Sequence, residues 1–305
     1  MTWLVRRLFH FAIVIWGVTT LVFVALRLTG DPAMMLLPGN PTMAEVELAR
    51  EKLGVNKPLI TQYVAFIGDA FRGRFGTSFL HGVDATGVVL ERLPATALLA
   101  GSALLLAAAF AIPLGILAAV FRGTIADFAV MTLAVIGQGV PFFWLGLMLI
   151  LIVGVELRLL PTGGYGTLQH LVLPSLTLAG YIGASTARLA RSSMLEVLGR
   201  DYMRTARAKG LALHVVVLKH GLKNAAIPIV TFLGLQMGLL LGGTVVVEEI
   251  FGWPGLGRLL LQAISFRDYP VVQAATFILA MIFVLVNILV DLVYVLLDPR
   301  VRDQR

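Results

Sequence analysis

Residues 95–119, ATALLAGSALLLAAAFAIPLGILAA, contain no charged side chain. A helix crossing the roughly 30 Å hydrocarbon core of a bilayer needs about 20 such residues, so this stretch is long enough to span. Five further predominantly apolar runs qualify as candidate spans, at 8–28, 128–155, 171–187, 226–247 and 271–296. Together the six predict an all-α integral membrane protein with six transmembrane helices. Composition agrees: the 305 residues are 58% hydrophobic and 13% charged, with a mean hydropathy of +0.91. Soluble domains carry about 25% charged residues. The first run follows Arg6 and Arg7, is too long for a signal-peptide core and ends without a small-residue cleavage site, so it reads as a retained anchor. The third holds Gly137, Gly139 and Pro141. Proline removes a backbone donor, which predicts a kinked or partly unwound span there.

Six spans place the N-terminus, 120–127, 188–225 and 298–305 on one side. That side collects Arg6, Arg7, Arg122, Arg188, Arg191, Arg200, Arg204, Arg207, Lys209, Lys219, Lys223, Arg300, Arg302 and Arg305. On the other side, in 29–94, acidic and basic residues nearly cancel. The positive-inside rule then predicts cytoplasmic termini. The net charge of +7 is accounted for by loops rather than by a nucleic-acid surface. With no cysteine, disulfides and thiolate chemistry are excluded.

Two connections are long. The segment 29–94 predicts a helix over Met43–Leu53 capped by Gly54, and a second begun by Pro58. It reads either as a small cap on the membrane surface or as a docking surface for an external partner. In 188–225, Leu195, Leu198, Tyr202 and Ala206 recur at helical spacing, with Arg200, Arg204 and Arg207 on another face. A turn at Gly210 and a short second helix from Val215 follow. Composition leaves open whether this basic element lies against anionic lipid or against a protein.

Within the six runs only His10, Arg27 and Asp291 carry ionisable groups, which disfavours an ion-coupled secondary transporter or channel. There is no phosphate-binding G-x-x-x-x-G-K-[ST] loop, no H-E-x-x-H and no G-x-S-x-G, so no catalytic or metal-binding residue is nominated and an intramembrane enzyme has little support. The neutral polar residues Gln138, Gln236, Thr244, Gln273 and Asn287 serve either helix packing or the lining of a pathway.

Asp201-Tyr-Met-Arg-Thr-Ala-Arg-Ala-Lys-Gly210, followed by Asn224-Ala-Ala-Ile-Pro228, resembles the cytoplasmic signature of binding-protein-dependent ABC importer permeases, in particular the peptide/nickel (dipeptide, oligopeptide, glutathione) subfamily. Arg204, Thr205 and Ala206 stand at the Glu-Ala-Ala positions of the general signature and Gly210 at its glycine. Gly30-Asp-Pro-Ala33, Lys57-Pro-Leu-Ile-Thr-Gln-Tyr63, Gly73-Arg-Phe-Gly-Thr-Ser78, Leu173-Pro-Ser-Leu-Thr177, Glu248-Glu-Ile-Phe-Gly-Trp-Pro-Gly-Leu-Gly257 and Arg267-Asp-Tyr-Pro270 look, in order, like the first permease subunit of that subfamily. The resemblance implies a type I ABC importer permease fold with an extracytoplasmic segment after the first helix, in a bacterial inner membrane. It implies a second homologous permease subunit, two ATP-binding subunits that carry the ATP and Mg, and an extracytoplasmic solute-binding protein. Asp201, Arg204, Thr205, Ala206, Arg207, Gly210 and Pro228 are then the residues expected to couple to the ATPase. Phe251, Trp253, Pro254, Gly255 and Gly257 are expected to contact the binding protein or form a gate. The expected organisation is an N-terminus and first helix over 1–28, an extracytoplasmic segment over 29–94, a permease core over 95–297 and a tail over 298–305.

Overall fold

The computed structural model describes residues 2–28, 33, 37, 39, 41–53 and 55–297. Gly54, Asp31 and the tail from 298 lie outside the described residues. The elements in order are α1 (Thr2–Leu28), α2 (Met43–Leu53), α3 (Leu59–Ala70), α4 (Ala85–Val120), α5 (Ile125–Gly139), α6 (Phe142–Leu149, continuing as a π-helix to Glu156), α7 (Leu168–Leu198), α8 (Asp201–Ala208), a π-helical turn (Val215–Leu222) that runs directly into α9 (Lys223–Ile250), α10 (Leu256–Ser265) and α11 (Tyr269–Leu297). Four of these helices are long and apolar enough to cross a membrane: α1, α4, Val215–Gly238 and α11.

The third run is broken more sharply than a kink. After α5 ends at Gly139, Val140 (φ −82°, ψ 123°) and Pro141 (φ −60°, ψ 130°) are extended. The chain then restarts at 101° to its former direction. The ring of Pro141 fixes its φ and disfavours a helical residue before it, so Val140 is where the helix must stop. Taken as one broken span, the bent pair makes a fifth. Helix α7, which holds the apolar run 171–187, is not apolar enough to join them, and much of it is enclosed by protein. Thirteen of its residues are buried, among them Ser175, Thr177, Thr186 and Ser193, and it packs against α5, α6 and α9.

Residue contacts divide the chain into two compact units, Met1–Ala95 with Pro254–Val284, and Thr96–Trp253 with Leu285–Arg305. In the first, Thr42 and Glu45 form a reciprocal capping box. The Thr42 amide and hydroxyl both donate to Glu45 Oε2 at 2.8 Å, and the Glu45 amide reaches back to Thr42 Oγ1 at 3.4 Å. These bonds from Thr42 hold the Glu45 carboxyl below its ordinary value. Helix α3 lies on α1: Phe23 stacks on Phe66 at 5.3 Å and meets Tyr63 edge-on at 5.4 Å, while Tyr63 shares a 2.7 Å hydrogen bond with Thr20. Around Asp268, 1% exposed, Ser78 Oγ donates at 2.5 Å and the amides of Phe79 and Leu80 donate at 3.0 and 3.2 Å. Ala85, Val89, Leu256, Leu259, Val271 and Ala275 fill the core beside it.

In the second unit small residues set the spacing. A Cβ added at Gly115 of α4 would stand 2.5 Å from the Ala187 carbonyl oxygen and 2.7 Å from the Ala190 Cβ, so α4 and α7 approach almost backbone to backbone. Gly146 of α6 makes room for a side chain instead: a Cβ there would stand 3.2 Å from the Thr177 methyl. Where lipid tails are as apolar as side chains, such close packing rather than the hydrophobic effect holds helices together. Ser102 and Ser175 add a hydrogen bond of 2.7 Å between α4 and α7.

Candidate coupling site

The basic loop folds differently from its periodicity. Leu195 and Leu198 belong to the end of α7. The helix stops at Gly199, Arg200 is extended (φ −73°, ψ 151°), and α8 begins anew at Asp201. Tyr202 is 45% exposed, and the inward face of α8 is instead Met203 and Ala206, 0% and 8% exposed, which pack on Val216 with Val197 and Leu198 alongside. The signal for the break was present: a glycine, then an aspartate, whose charge suits the positive N-terminal end of a helix. The short second helix is likewise not separate. It is the π-helical first turn of the span containing α9.

Helix α8 therefore has a fixed inner face and an open outer one. Asp201 and Arg204 are exposed and paired at 3.5 Å, while Arg200 pairs with Glu196 at 2.5 Å. Thr205 and Arg207 are exposed as well. Gly210 closes the element with φ +74°, its amide donating to the Arg207 carbonyl at 2.9 Å, and a Cβ there would meet nothing within 4 Å. The left-handed conformation is what requires glycine here. Of the expected coupling residues, Asp201, Arg204, Thr205, Arg207 and Gly210 share this outer surface and end turn. Ala206 points inward. Pro228 is exposed but lies inside α9.

Periodicity gave no sign of the anchor behind the site. Arg191, on α7 two turns before its end, grips Asp127 at the start of α5 through Nε and Nη2 at 2.6 and 2.8 Å. The Gly123 amide donates to the same carboxylate at 3.0 Å. Asp127 is 6% exposed. Only a contact between elements far apart in sequence makes this pair, so neither residue alone signals it.

Glu248, just past the apolar run 226–247, is another such residue. It lies inside α9, is 0% exposed, and accepts from Thr96 Oγ1 at 2.7 Å. The count of ionisable groups inside helices is thus higher than apolar runs suggest. The turn after α9 is interior too. Phe251 and Trp253 are each 1% exposed, the Gly164 amide donates to the Phe251 carbonyl at 2.7 Å, and Tyr165 meets Trp253 edge-on at 4.8 Å. Gly255 and Gly257 are buried and Pro254 half-buried. Of the polar candidates, Gln236 and Thr244 are buried, Gln273 and Asn287 half-buried, and Gln138 is exposed. Gln138 lines an open cleft of about 460 Å³ with Ser185, Arg188 and Ser192.

Residues 111–303 match the binding-protein-dependent transport system inner membrane component family, and residues 1–100 match the N-terminal region of such membrane components. The chain is 42% identical over 303 residues to the glutathione transport system permease protein GsiC of Escherichia coli strain K12, covering 99% of each, and equally to that of Shigella flexneri serotype 5b. Among solved structures, an inward-facing MetNI methionine ABC transporter superposes with a TM-score of 0.59 at 19% identity, over 69% of this chain and 96% of that one. An amino acid ABC transporter gives 0.52 at 17% identity, over 68% and 94%. These likenesses show the fold, that of ABC importer permeases. From its first helix to its last, the chain belongs to the family of inner-membrane permease components of binding-protein-dependent ABC importers.

Proposed function

We propose that the chain is one of two homologous permease subunits of an ATP-driven importer for peptide-like solutes, with glutathione the first to test. Two ATP-binding subunits, carrying the ATP and Mg, engage it from the cytoplasm, and a solute-binding protein delivers solute from outside. The observation that carries the reading is α8, clamped to its own chain by Met203 and Ala206 while its outer face of Asp201, Arg204 and Arg207 is left open. The 42% identity with a glutathione permease, over 99% of each chain, supports the solute class. A hinged ATPase pair closing on ATP would push on this rigid element and so tilt α7 and α9, which flank it directly in sequence. Nearly uncharged spans suit a path that holds polar solute weakly, recognition resting with the binding protein.

Phe251 and Trp253 support a gate or a structural turn more than a surface for the binding protein, because their side chains are buried. Reconstitution tests the function. Complex with both permeases, ATPases and binding protein should take up glutathione or dipeptide only with ATP. Uptake by this chain alone on an ion gradient would overturn the reading.

In this reading, which rests on the excess of Lys and Arg in 188–225, both termini lie in the cytoplasm, with α2 outside and α8 inside. Because the chain has no cysteine, the variants Glu47→Cys and Lys209→Cys each carry a single thiol. An impermeant thiol reagent should reach Glu47→Cys only from outside and Lys209→Cys only from inside. Labelling of both from one face would refute this topology.

A further inference from the structure

The cleft beside the α5–α7 contact holds an arginine whose partner is uncharged. Arg188 is exposed on α7, ten residues before the helix ends at Leu198, hence about 15 Å along its axis from that end at 1.5 Å per residue. Among the described residues its partner is the side-chain oxygen of Gln138, a neutral acceptor. The neighbouring Arg191 is different, since its charge is met by Asp127 at 2.6 Å. Arg188 lies one residue beyond the apolar run 171–187, and a guanidinium there with no carboxylate partner among the described residues is kept where it faces water or an anionic ligand.

The rest of the lining matches that charge. The Gln138 amide, having given its oxygen to Arg188, retains two N–H donors, and the hydroxyls of Ser185 and Ser192 are further donors. Among the described residues no carboxylate lines the cleft, Arg191 at its edge is already paired with Asp127, and Phe232 and Met131 supply an apolar wall. A guanidinium fork with flanking neutral donors is the arrangement that receives an oxyanion, above all a carboxylate. The volume of about 460 Å³ is within the range of small-molecule sites.

We infer that this cleft is a carboxylate-binding station on the solute's route, Arg188 taking the carboxylate of a peptide-like solute and Gln138 and the serines its neighbouring polar atoms. The inference rests on the permease reading for the identity of the solute. A lipid phosphate has the same oxyanion chemistry and is distinguished by the test. The exposure of Arg188 suits a station that binds and releases, because a fully enclosed pair would hold its solute.

The test uses the assembled complex in zwitterionic-lipid proteoliposomes, without ATP, and a Ser192→Cys variant as the only thiol of this chain, the partner subunits having theirs removed. Thiosulfonate reagents of opposite charge, reaching the inner face through permeabilised vesicles, report the local field. The anionic reagent is expected to react about tenfold faster relative to the cationic one with Arg188 present than in Arg188→Gln. Millimolar dipeptide should slow labelling while its C-terminal amide does not. Equal protection by acid and amide, or a reagent preference unchanged by Arg188→Gln, would overturn the site. Protection by phosphatidylglycerol with none by dipeptide would assign the cleft to lipid instead, and a thiol unreachable by either reagent would make it a subunit contact. ATP-driven uptake by the unmodified complex is measured in parallel. Its absence would remove the permease reading, whereas the labelling results bear on the site itself.

Discussion

Asp127→Ala is expected to lower the stability of the protein by about 3 kcal/mol, because it leaves the Arg191 guanidinium without its carboxylate inside a helix contact. Removing one partner of a buried ion pair costs about 3–5 kcal/mol. The low end applies since the Arg191 side chain keeps 26% of its surface exposed against 8% for Asp127. The same substitution strips the acceptor from the Gly123 amide, which holds the turn between α4 and α5. The expected readout is a lower midpoint of thermal unfolding for the detergent-solubilised protein and less protein in the membrane. Asp127→Asn should lose less, as its oxygen still accepts one bond. The double variant Asp127→Ala with Arg191→Met should recover much of the loss, since an apolar replacement removes the stranded charge. A double variant as unstable as the single one would mean that the arginine stem, rather than its charge, carries the contact.

Gly115→Val should be more damaging still. Its first added carbon stands 2.5 Å from the Ala187 carbonyl oxygen and 3.0 Å from the Arg191 backbone nitrogen, and backbone of a helix cannot step aside as a flexible side chain can. Overpacking costs about 1–3 kcal/mol where side chains adjust. Here α4 and α7 must separate, so the upper end or more is expected and folded protein should be nearly lost from the membrane. Gly101 lies on the same helix with nothing within 4 Å of its added carbon. Gly101→Ala should therefore be neutral or stabilising by up to about 1 kcal/mol, the ordinary gain of alanine in a helix. Equal behaviour of the two variants in a thermal-unfolding assay would show that close approach at Gly115 does not organise the bundle.

Apolar run length alone located α1, α4, α9 and α11, because nothing but a spanning helix needs so many uncharged residues. The helices Met43–Leu53 and Leu59–Ala70 were legible from local chemistry, although the cap expected at Gly54 lies outside the described residues. At 128–155 the proline was visible, but the angle of the break depends on what α6 packs against. In the basic loop 188–225, helical spacing of the apolar residues runs on through Gly199 and includes Tyr202, where the fold turns Met203 inward. Single-helix periodicity does not tell which of two adjacent faces meets Val216, a residue beyond the next turn. The pairs Asp127–Arg191, Thr96–Glu248 and Ser78–Asp268 were illegible for a related reason. Each joins residues that the chain brings together only after folding, and each carboxylate lies just outside an apolar run, where charge is expected and draws no notice. Gln138 was singled out as polar within a span, but its bond to Arg188 needs the contact of α5 with α7.

The claim that Asp201–Gly210 is the coupling element meets its most direct test in Gly210→Val, read as the amount of ATPase that co-purifies and as ATP-driven uptake per complex. The added side chain has open space within this chain and φ +74° costs it about 1–2 kcal/mol, so folding and membrane amount should hold. Gly82→Val, at φ +68° with equally open space, bears the same local strain in the segment 29–94 and should retain the ATPase. Loss of ATPase or of uptake with Gly210→Val but retention of the ATPase with Gly82→Val is the predicted result. Retention of the ATPase and wild-type uptake with Gly210→Val, together with the same outcome for Arg204→Glu, would contradict the account and leave α8 as a helix held against lipid.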